Sequence, residues 1–385
     1  MKVLFVSNDP TIFNPQSAAR MRMRSYAALM GELHILSSAD KNAKEEQEGN
    51  LFLHPVHTLK LFRVRSLAVQ AHALILKHGI EIVSAQDPFE HGLAALRAVR
   101  GTQAKLHIQV HTDFLSPWFV KGGTWRALFL NHYRCRIADR VLPAADGIRT
   151  VSERVKKSLC ERYGSRSSEM NAQSHGAGIP EPSVIPVAID SQVPAPVSLP
   201  THSFTFSLIA VGRLEPEKRM EDILMALKLI PTHYSMIGLF VVGEGSQRHK
   251  LEHKARRLGL ADKVVFLGER PDARALVAGA QAFIQASAYE GYGRTLVEAA
   301  LARIPIITTD VGIVGEVFKG NEDVLAAPVA DPMALSLNII RFVEDTSLRL
   351  QLPIHAEVAA RAHLAAQGNL AERMRDDLML LLQNV

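Results

Sequence analysis

Short apolar runs, each closed by a polar or glycine-bearing turn, recur along the whole chain. KVLFVS, GELHILS, IEIVSAQ, LHIQVHT, DGIRTVS and SVIPVAID occupy the first half; FTFSLIAVGR, SMIGLFVVGEG, KVVFLGE, AFIQAS and IPIITTD occupy the second. The intervals between them are long enough for helices. Apolar runs alternating with helical intervals predict buried parallel strands covered by helices on both faces. The rhythm breaks over residues 162–203, rich in Ser, Gly and Pro, so the pattern predicts two doubly wound, Rossmann-like α/β domains. Residues 1–192 form the first, 193–203 a stiff linker around VPAPVSLP, and 204–365 the second. Residues 164–182 read as a mobile surface loop. Within 366–385, NLAERMRDDLMLLLQNV has helical apolar spacing and either caps the second domain or crosses back to the first.

Composition narrows the class. With 385 residues, 47% hydrophobic and 22% charged, the chain has the make-up of a globular protein of two or three domains. No window approaches the ~18 uninterrupted apolar residues that a membrane span needs. MKVLFVSNDP turns polar after one short apolar run and reads as a first strand, not a signal peptide. The two cysteines, Cys135 and Cys160, have no ligand spacing and form no disulfide framework, which points to a reducing cytoplasm. Residues 1–192 carry 24 Lys and Arg against 17 Asp and Glu, whereas the remainder carries 20 against 22. A basic first half suits either an anionic partner or a plain soluble surface.

In open sheets of this kind ligands bind beyond the carboxyl ends of the strands. After LIAVGR come Arg213 and Lys218, a guanidinium fork and a point charge suited to a diphosphate at a helix start. Ion pairs with Glu215, Glu217 or Glu221 explain the same charges about as well. Glu244-Gly245-Ser246 ends another strand in a turn that many strands share. After AFIQAS comes the turn Glu290-Gly291-Tyr292-Gly293 and then the helix RTLVEAALARI. Its glycines allow close backbone approach, and the amides of Arg294, Thr295 and Leu296 point out of the helix start toward sugar hydroxyls or phosphate oxygens. Glu298 falls about one turn inside that helix. Read blandly, Glu298 is a surface residue and Glu290 a partner for the helix dipole.

VGRLEPEK, then EGYGRTLVE with glutamates eight positions apart, then ARIPIITTDVG, resemble the second domain of the family 4 glycosyltransferases. ADGIRTVSERVKKSL followed by SVIPVAID resembles the end of their first domain, so the likeness covers nearly the whole chain. That family consists of retaining enzymes of the two-domain GT-B fold. The resemblance implies that Arg213 and Lys218 hold the diphosphate of a nucleotide sugar and Glu298 its ribose. It also implies that Glu290 and the Gly291–Leu296 backbone hold the sugar, with Gly268 and Glu269 near the base. His111, ending LHIQVHT, matches the histidine that faces the donor sugar, with Asp113 beside it. The family often carries paired glycines in its first loop. This chain has NPQSAAR instead, where Ser17 and Arg20 stand in as phosphate-side or acceptor-side candidates.

Residues 114–136, FLSPWFVKGGTWRALFLNHYRCR, hold both tryptophans of the chain. Trp118, Trp125 and Arg126 are candidates for contact with an anionic leaflet, docking a lipid-linked acceptor. A helix packing on its own domain is the competing reading. A nicotinamide dehydrogenase is disfavoured because VLFVS is followed by NDPTIFNPQ and not a G-x-G-x-x-G turn. No Asp-x-Asp motif marks a metal-dependent transferase, and no nucleic-acid motif accompanies the basic half. The resemblance implies that Glu290 lies on the sugar-hydroxyl side, and no second carboxylate stands out as a double-displacement nucleophile, which favours front-face substitution with no metal and no cofactor beyond the nucleotide-sugar substrate. The expectation is a retaining hexosyltransferase-type enzyme using a UDP-sugar, the donor favoured within the family, and a glycan or lipid-linked acceptor. Polysaccharide or envelope glycoconjugate synthesis, in the cytoplasm at the inner face of the membrane, fits that reading. A sugar-nucleotide epimerase of the same fold and a non-catalytic nucleotide-sugar-binding scaffold are the alternatives.

Overall fold

The computed structural model describes residues 1–39, 42–121, 125–166, 178–200, 204–234 and 236–383, without the side chains of Lys60 and Arg126. The chain forms two compact units: Met1–Leu115, Phe129–Pro186 and Gly368–Val385 make the first, Ser116–Leu128 and Val187–Gln367 the second. The sequence was divided at 192. The structure divides it at Pro186, and the stretch that follows is tied to the second unit by the Asp190–Arg274 ion pair at 3.0 Å and by the Val197 amide donating to Ala275 O at 3.0 Å. Of the expected surface loop, residues 167–177 lie outside the described residues, as do 201–203 of the linker.

In chain order the first unit contains β1 (Lys2–Ser7), α1 (Ala18–Ala27), β2 (Glu32–Ser38), β3 (Glu46–Glu48), β4 (Leu51–Val56), α2 (Arg63–His78), β5 (Ile82–Ala85), α3 (Glu90–Ala98) and β6 (Lys105–Val110). It continues with α4 (Trp125–Val141), whose first turn groups with the second unit, then β7 (Gly147–Thr150), α5 (Glu153–Tyr163) and β8 (Ser183–Val184). The second unit contains β9 (Phe206–Val211), α6 (Met220–Leu229), β10 (Ile237–Val242), α7 (Arg248–Arg257), β11 (Val264–Gly268), α8 (Ala273–Ala278), β12 (Ala282–Ile284), α9 (Arg294–Leu301), β13 (Ile306–Thr309), β14 (Leu325–Ala327), α10 (Pro332–Glu344) and α11 (Thr346–Gln367). The terminal helix, α12 (Leu370–Gln383), belongs to the first unit.

The first sheet runs β3-β4-β2-β1-β5-β6-β7-β8, parallel except for β3, which pairs antiparallel with β4. The second runs β11-β10-β9-β12-β13-β14, parallel throughout. Both are α/β sheets whose order reverses beside the first strand, β1 in one and β9 in the other. The strands are apolar almost end to end because helices cover both faces. Leu4, Leu33, Leu36 and Leu53 are fully buried in the first unit, and Ile209, Phe240, Ile284 and Ile307 in the second. From α12, Met374 and Leu378 enter the first unit's core beside Met23 and Tyr26. That is the crossing-back arrangement of the two that the sequence allowed.

Candidate active site

The second sheet reverses order between β9 and β12, and the loops after those strands carry the charged motifs. Close backbone packing shapes this edge. A Cβ on Gly243 would lie 2.0 Å from Gly212 O, and one on Gly245 would lie 2.5 Å from Leu214 O. The loop after β9 leads through Pro216–Lys218 to Arg219, which has φ +46° and precedes α6. Lys218 Nζ donates to Glu290 Oε1 at 2.5 Å, and Ser287 Oγ donates to the same oxygen at 2.7 Å. The Ala288 amide donates to Glu217 O at 2.8 Å, stitching the two loops together. Arg213 is paired with Glu217 at 2.7 Å, one of the pairings open to it from sequence, yet its side chain remains 73% exposed. Glu215 is taken up by the Ser246 amide and hydroxyl at 2.9 and 2.6 Å.

The turn after β12 differs in one respect from its sequence reading. Tyr292 contributes its backbone to the loop, but its side chain is buried. Its hydroxyl meets His363 Nε2 at 2.8 Å and accepts from Gln367 Nε2 at 3.0 Å, and burial pushes its pKa up to about 12. The ring therefore anchors α11. Gly293, at φ +95°, leads into α9 with no side-chain cap, so the helix start offers main-chain donors. The Leu296 amide is not one of them, since it donates to Gly293 O at 3.0 Å and its side chain is core. Thr295 Oγ1 donates to Gln285 Oε1 at 2.9 Å. Arg294 pairs with Glu298 at 2.9 Å, leaving Glu298 only 13% exposed.

At the end of β11, Gly268 has φ +73° and its carbonyl accepts from the Gly243 amide at 2.7 Å; Glu269 beside it is exposed. Trp118 is partly exposed. The Arg219 guanidinium lies 5.2 Å from its ring centre, and Phe119 meets Tyr289 edge-on at 5.5 Å. This segment packs on the second unit near the Glu290 turn. Trp125 is 74% exposed, and the Arg126 side chain lies outside the described residues.

In the first unit His111 follows the end of β6. A directed chain of hydrogen bonds fixes its tautomer. Arg149 Nη1 can only donate, and it lies 2.9 Å from Gln109 Oε1, so the Gln109 amide nitrogen faces Ser84 Oγ at 2.9 Å. Ser84 then donates to His107 Nδ1 at 2.8 Å, and His107 Nε2 donates to Asp377 Oδ2 at 3.1 Å. His111 Nε2 lies 3.2 Å from the same Gln109 oxygen, so it carries the proton and Nδ1 is a bare acceptor. The ring keeps an open edge to solvent, while the protein crowded around it, then the charges of Arg149 and Arg22, lower its pKa. The imidazole is neutral at physiological pH. Asp113 lies two residues on and is partly buried.

The first-loop candidates belong to the fold. Ser17 Oγ caps α1 by accepting from the Arg20 amide at 3.0 Å. The buried Arg20 guanidinium is held by Ile12 O at 3.1 Å and by Glu46 and Glu48 at 3.0 Å each, which fixes α1 to β3 and leaves no fork for a phosphate. The sequence reading missed Ser287, Gln109, Arg149, His107 and Asp377. Ser287 stands three residues before Glu290 and was within reach of a turn argument; the others come together only through the sheet and α12.

Residues 203–357 match the family model described as Glycosyl transferases group 1, and residues 23–176 match the one described as Glycosyltransferase Family 4. Glycogen synthase of Mycobacterium tuberculosis is 32% identical over 168 residues, which is 42% of this chain and 41% of that protein. The lipopolysaccharide core biosynthesis glycosyltransferase LpsE of Rhizobium meliloti is 25% identical over 175 residues, 46% of this chain and 48% of that protein. The chain thus spans less than half the length of these curated relatives. Among solved structures, sucrose-phosphate synthase from Thermosynechococcus elongatus superposes with a TM-score of 0.78 at 16% identity, covering all of both chains. Anabaena HepE in complex with UDP and glucose superposes with a TM-score of 0.70 at 18% identity, again covering all of both chains. These two likenesses are of fold.

Proposed function

Since this chain belongs to the family 4 glycosyltransferases of the two-domain GT-B fold, we propose that it moves a sugar from a nucleoside-diphosphate sugar, a UDP-sugar in first place, to a glycan or lipid-linked acceptor. Polysaccharide or envelope glycoconjugate assembly at the inner face of a membrane is the setting this reading assigns. The relatives named for glycogen and for lipopolysaccharide core synthesis support the class of acceptor, and the HepE structure with UDP supports the donor base. The observation that carries the reading is the Lys218–Glu290–Ser287 cluster at the β9–β12 reversal, with Arg213 beside it.

In the proposed reaction the acceptor hydroxyl attacks the anomeric carbon on the face from which the diphosphate departs. The bond from that carbon to the phosphate oxygen breaks, the new glycosidic bond forms, and the acceptor's proton passes to the leaving phosphate. Lys218 and Arg213 stabilise the charge that develops there, as cations aimed at a leaving group do. Glu290 orients the sugar hydroxyls, the main-chain donors at the start of α9 bind the sugar–phosphate junction, and Glu298 binds the ribose. His111 accepts a sugar hydroxyl's hydrogen bond at Nδ1. The reaction retains anomeric configuration and needs no metal, because fixed cations take the part a divalent ion plays elsewhere. The exposed Trp125 and Phe129 of α4 are assigned to the membrane surface.

A thermal-shift panel of UDP, GDP and their sugars tests the binding class. Stabilisation by UDP and not GDP supports the base assignment, and no shift with any of them defeats the reading. With a responsive donor, an unchanged rate in EDTA and an anomerically retained product by NMR test the rest.

A further inference from the structure

At the opposite edge of the first sheet from its strand carboxyl ends, three histidines meet. His34 and His54 stand on adjacent strands, β2 and β4, and His78 is the last residue of α2. The His34 ring lies 4.5 Å from the His78 ring, tilted by 52°, and is stacked on Phe52 at 4.5 Å. His34 Nδ1 lies 3.0 Å from His54 Nε2, His54 Nδ1 lies 3.2 Å from Glu45 Oε1, and His34 Nε2 lies 3.3 Å from Glu32 Oε2.

Proton counting exposes a shortfall. The chain Glu45–His54–His34–Glu32 has three contacts, and two neutral imidazoles supply two N–H groups. One contact therefore sets two lone pairs against each other, either a ring nitrogen against a carboxylate oxygen or the two ring nitrogens. Charging either imidazole would repair it, but His34 is fully buried and His54 nearly so, where an added charge is unfavourable. His78 Nε2 is also buried and has no hydrogen-bond partner among the described residues. If His54 donates to Glu45 and His34 donates to His54, the shortfall falls between Glu32 and His34, where the His78 nitrogen also converges. The three ligand atoms of Glu32, His34 and His78 all lie within 4.8 Å of one another. The second oxygen of Glu32 is held by Lys2 at 2.8 Å, which leaves Oε2 directed at His34.

We propose that Glu32, His34 and His78 form a binding site for a divalent transition-metal ion of the zinc class, with water in the fourth position. Two imidazoles and one carboxylate are a donor set such ions favour, and a tetrahedral site needs ligand atoms about 3.3 Å apart. His78 ends its helix beside Gly79, so a small ring movement closes that distance. His54 and Glu45 form the outer layer that orients His34, as partners of a metal-bound histidine commonly do. The ion would pin the start of β2 to the end of α2. Its role is structural and independent of the proposed glycosyl transfer.

The test uses the full-length chain, free of any affinity tag and stripped with EDTA. Titration with Zn²⁺ should bind one equivalent and raise Tm by about 3 °C or more, while Mg²⁺ does neither. Co²⁺ in place of Zn²⁺ should give the visible absorption of a four-coordinate site. His78→Phe keeps a ring in place and removes the nitrogen; it should lose both the absorption and the Tm shift while melting close to the metal-free wild type. Glu32→Gln, at a partly exposed position, should weaken Zn²⁺ binding at least tenfold and provides the same test should His78→Phe not fold. No saturable binding, or a signal that persists in both variants, overturns the proposal. Transfer rates are read separately, since loss of this site is expected to leave them unchanged.

Discussion

Lys218 Nζ lies 2.5 Å from Glu290 Oε1, joining the loops after β9 and β12 although 72 residues separate them in sequence. Both side chains are mostly buried, so the pair is shielded more than a surface ion pair and each partner depends on the other for compensation. A phosphate group approaching Lys218 competes with Glu290 for the same ammonium. In the proposed reaction that competition releases Glu290 toward a sugar hydroxyl.

Replacing Lys218 with Ala should lower kcat by about a hundredfold or more, the scale for removing one fixed donor to a developing charge. Lys218→Ala with Glu290→Gln should cost less than the sum of the single changes, because each single change strands the other side chain. Initial-rate measurements on the four proteins check this. Unchanged turnover in Lys218→Ala removes it from the diphosphate.

Gly312 is the glycine on which the Glu290 turn leans. At φ +60°, a Cβ there would lie 2.4 Å from Tyr292 O and 3.1 Å from the Glu290 Cβ. Gly312→Ala adds backbone strain of about 1–3 kcal/mol and pushes the turn outward. Nucleotide-sugar affinity should fall at least tenfold by calorimetry, with a lower Tm. Wild-type affinity would show that the turn does not hold the donor.

Tyr292→Phe separates the ring from the turn that bears it. The change leaves His363 and Gln367 without their shared hydroxyl, at a cost of about 1–3 kcal/mol. Tm should fall by several degrees while the donor KM stays within about twofold. A donor KM raised tenfold with unchanged Tm would return the hydroxyl to the ligand.

Sequence disclosed the alternation of strand and helix, the two sheets and the loops that carry charge, because apolar period and glycine placement are local signals. It could not disclose where side chains end up across the sheet. Arg20 looked available for a phosphate, but Glu46 and Glu48 on an edge strand claim it. Trp118 gave no sign in sequence that Arg219, about a hundred residues downstream, would lie against its ring. The Arg213 ambiguity stayed open because an ion pair with Glu217 and exposure to a ligand coexist. Contacts of this kind are set by packing between distant segments, which no window of sequence contains.

The exposed aromatic face of α4 carries the proposed membrane contact. Trp125 and Phe129 are 74% and 75% exposed on α4, one helical turn apart. Trp125→Ala with Phe129→Ala should reduce pelleting with anionic vesicles at least threefold while leaving transfer to a soluble acceptor unchanged. Equal pelleting of variant and wild type excludes this face as the contact.

His107 Nε2 donates to Asp377 Oδ2 at 3.1 Å, and through Ser84 and Gln109 that bond reaches His111. Burial alone would raise the Asp377 pKa, but the bonds from His107 and Ser183 and the charge of Arg149 outweigh it, so the pKa is lowered. A carboxylate whose folded pKa lies below its unfolded value stabilises the fold above that unfolded value, about 3.9 for Asp, and loses the contribution as pH falls through the folded value. Wild-type Tm should therefore fall more steeply below about pH 4 than that of Asp377→Asn, whose side chain does not titrate. Asp377→Ala leaves the buried His107 N–H without its acceptor at every pH, and should cost about 1–3 kcal/mol at pH 7. Because the hydrogen-bond chain ends at His111, Asp377→Ala should also lower kcat, with UDP affinity, read by calorimetry, unchanged. Parallel acid slopes in wild type and Asp377→Asn would show that the His107 bond does not hold Asp377 ionised. A stability loss with unaltered kcat would show that the chain stabilises α12 without positioning His111.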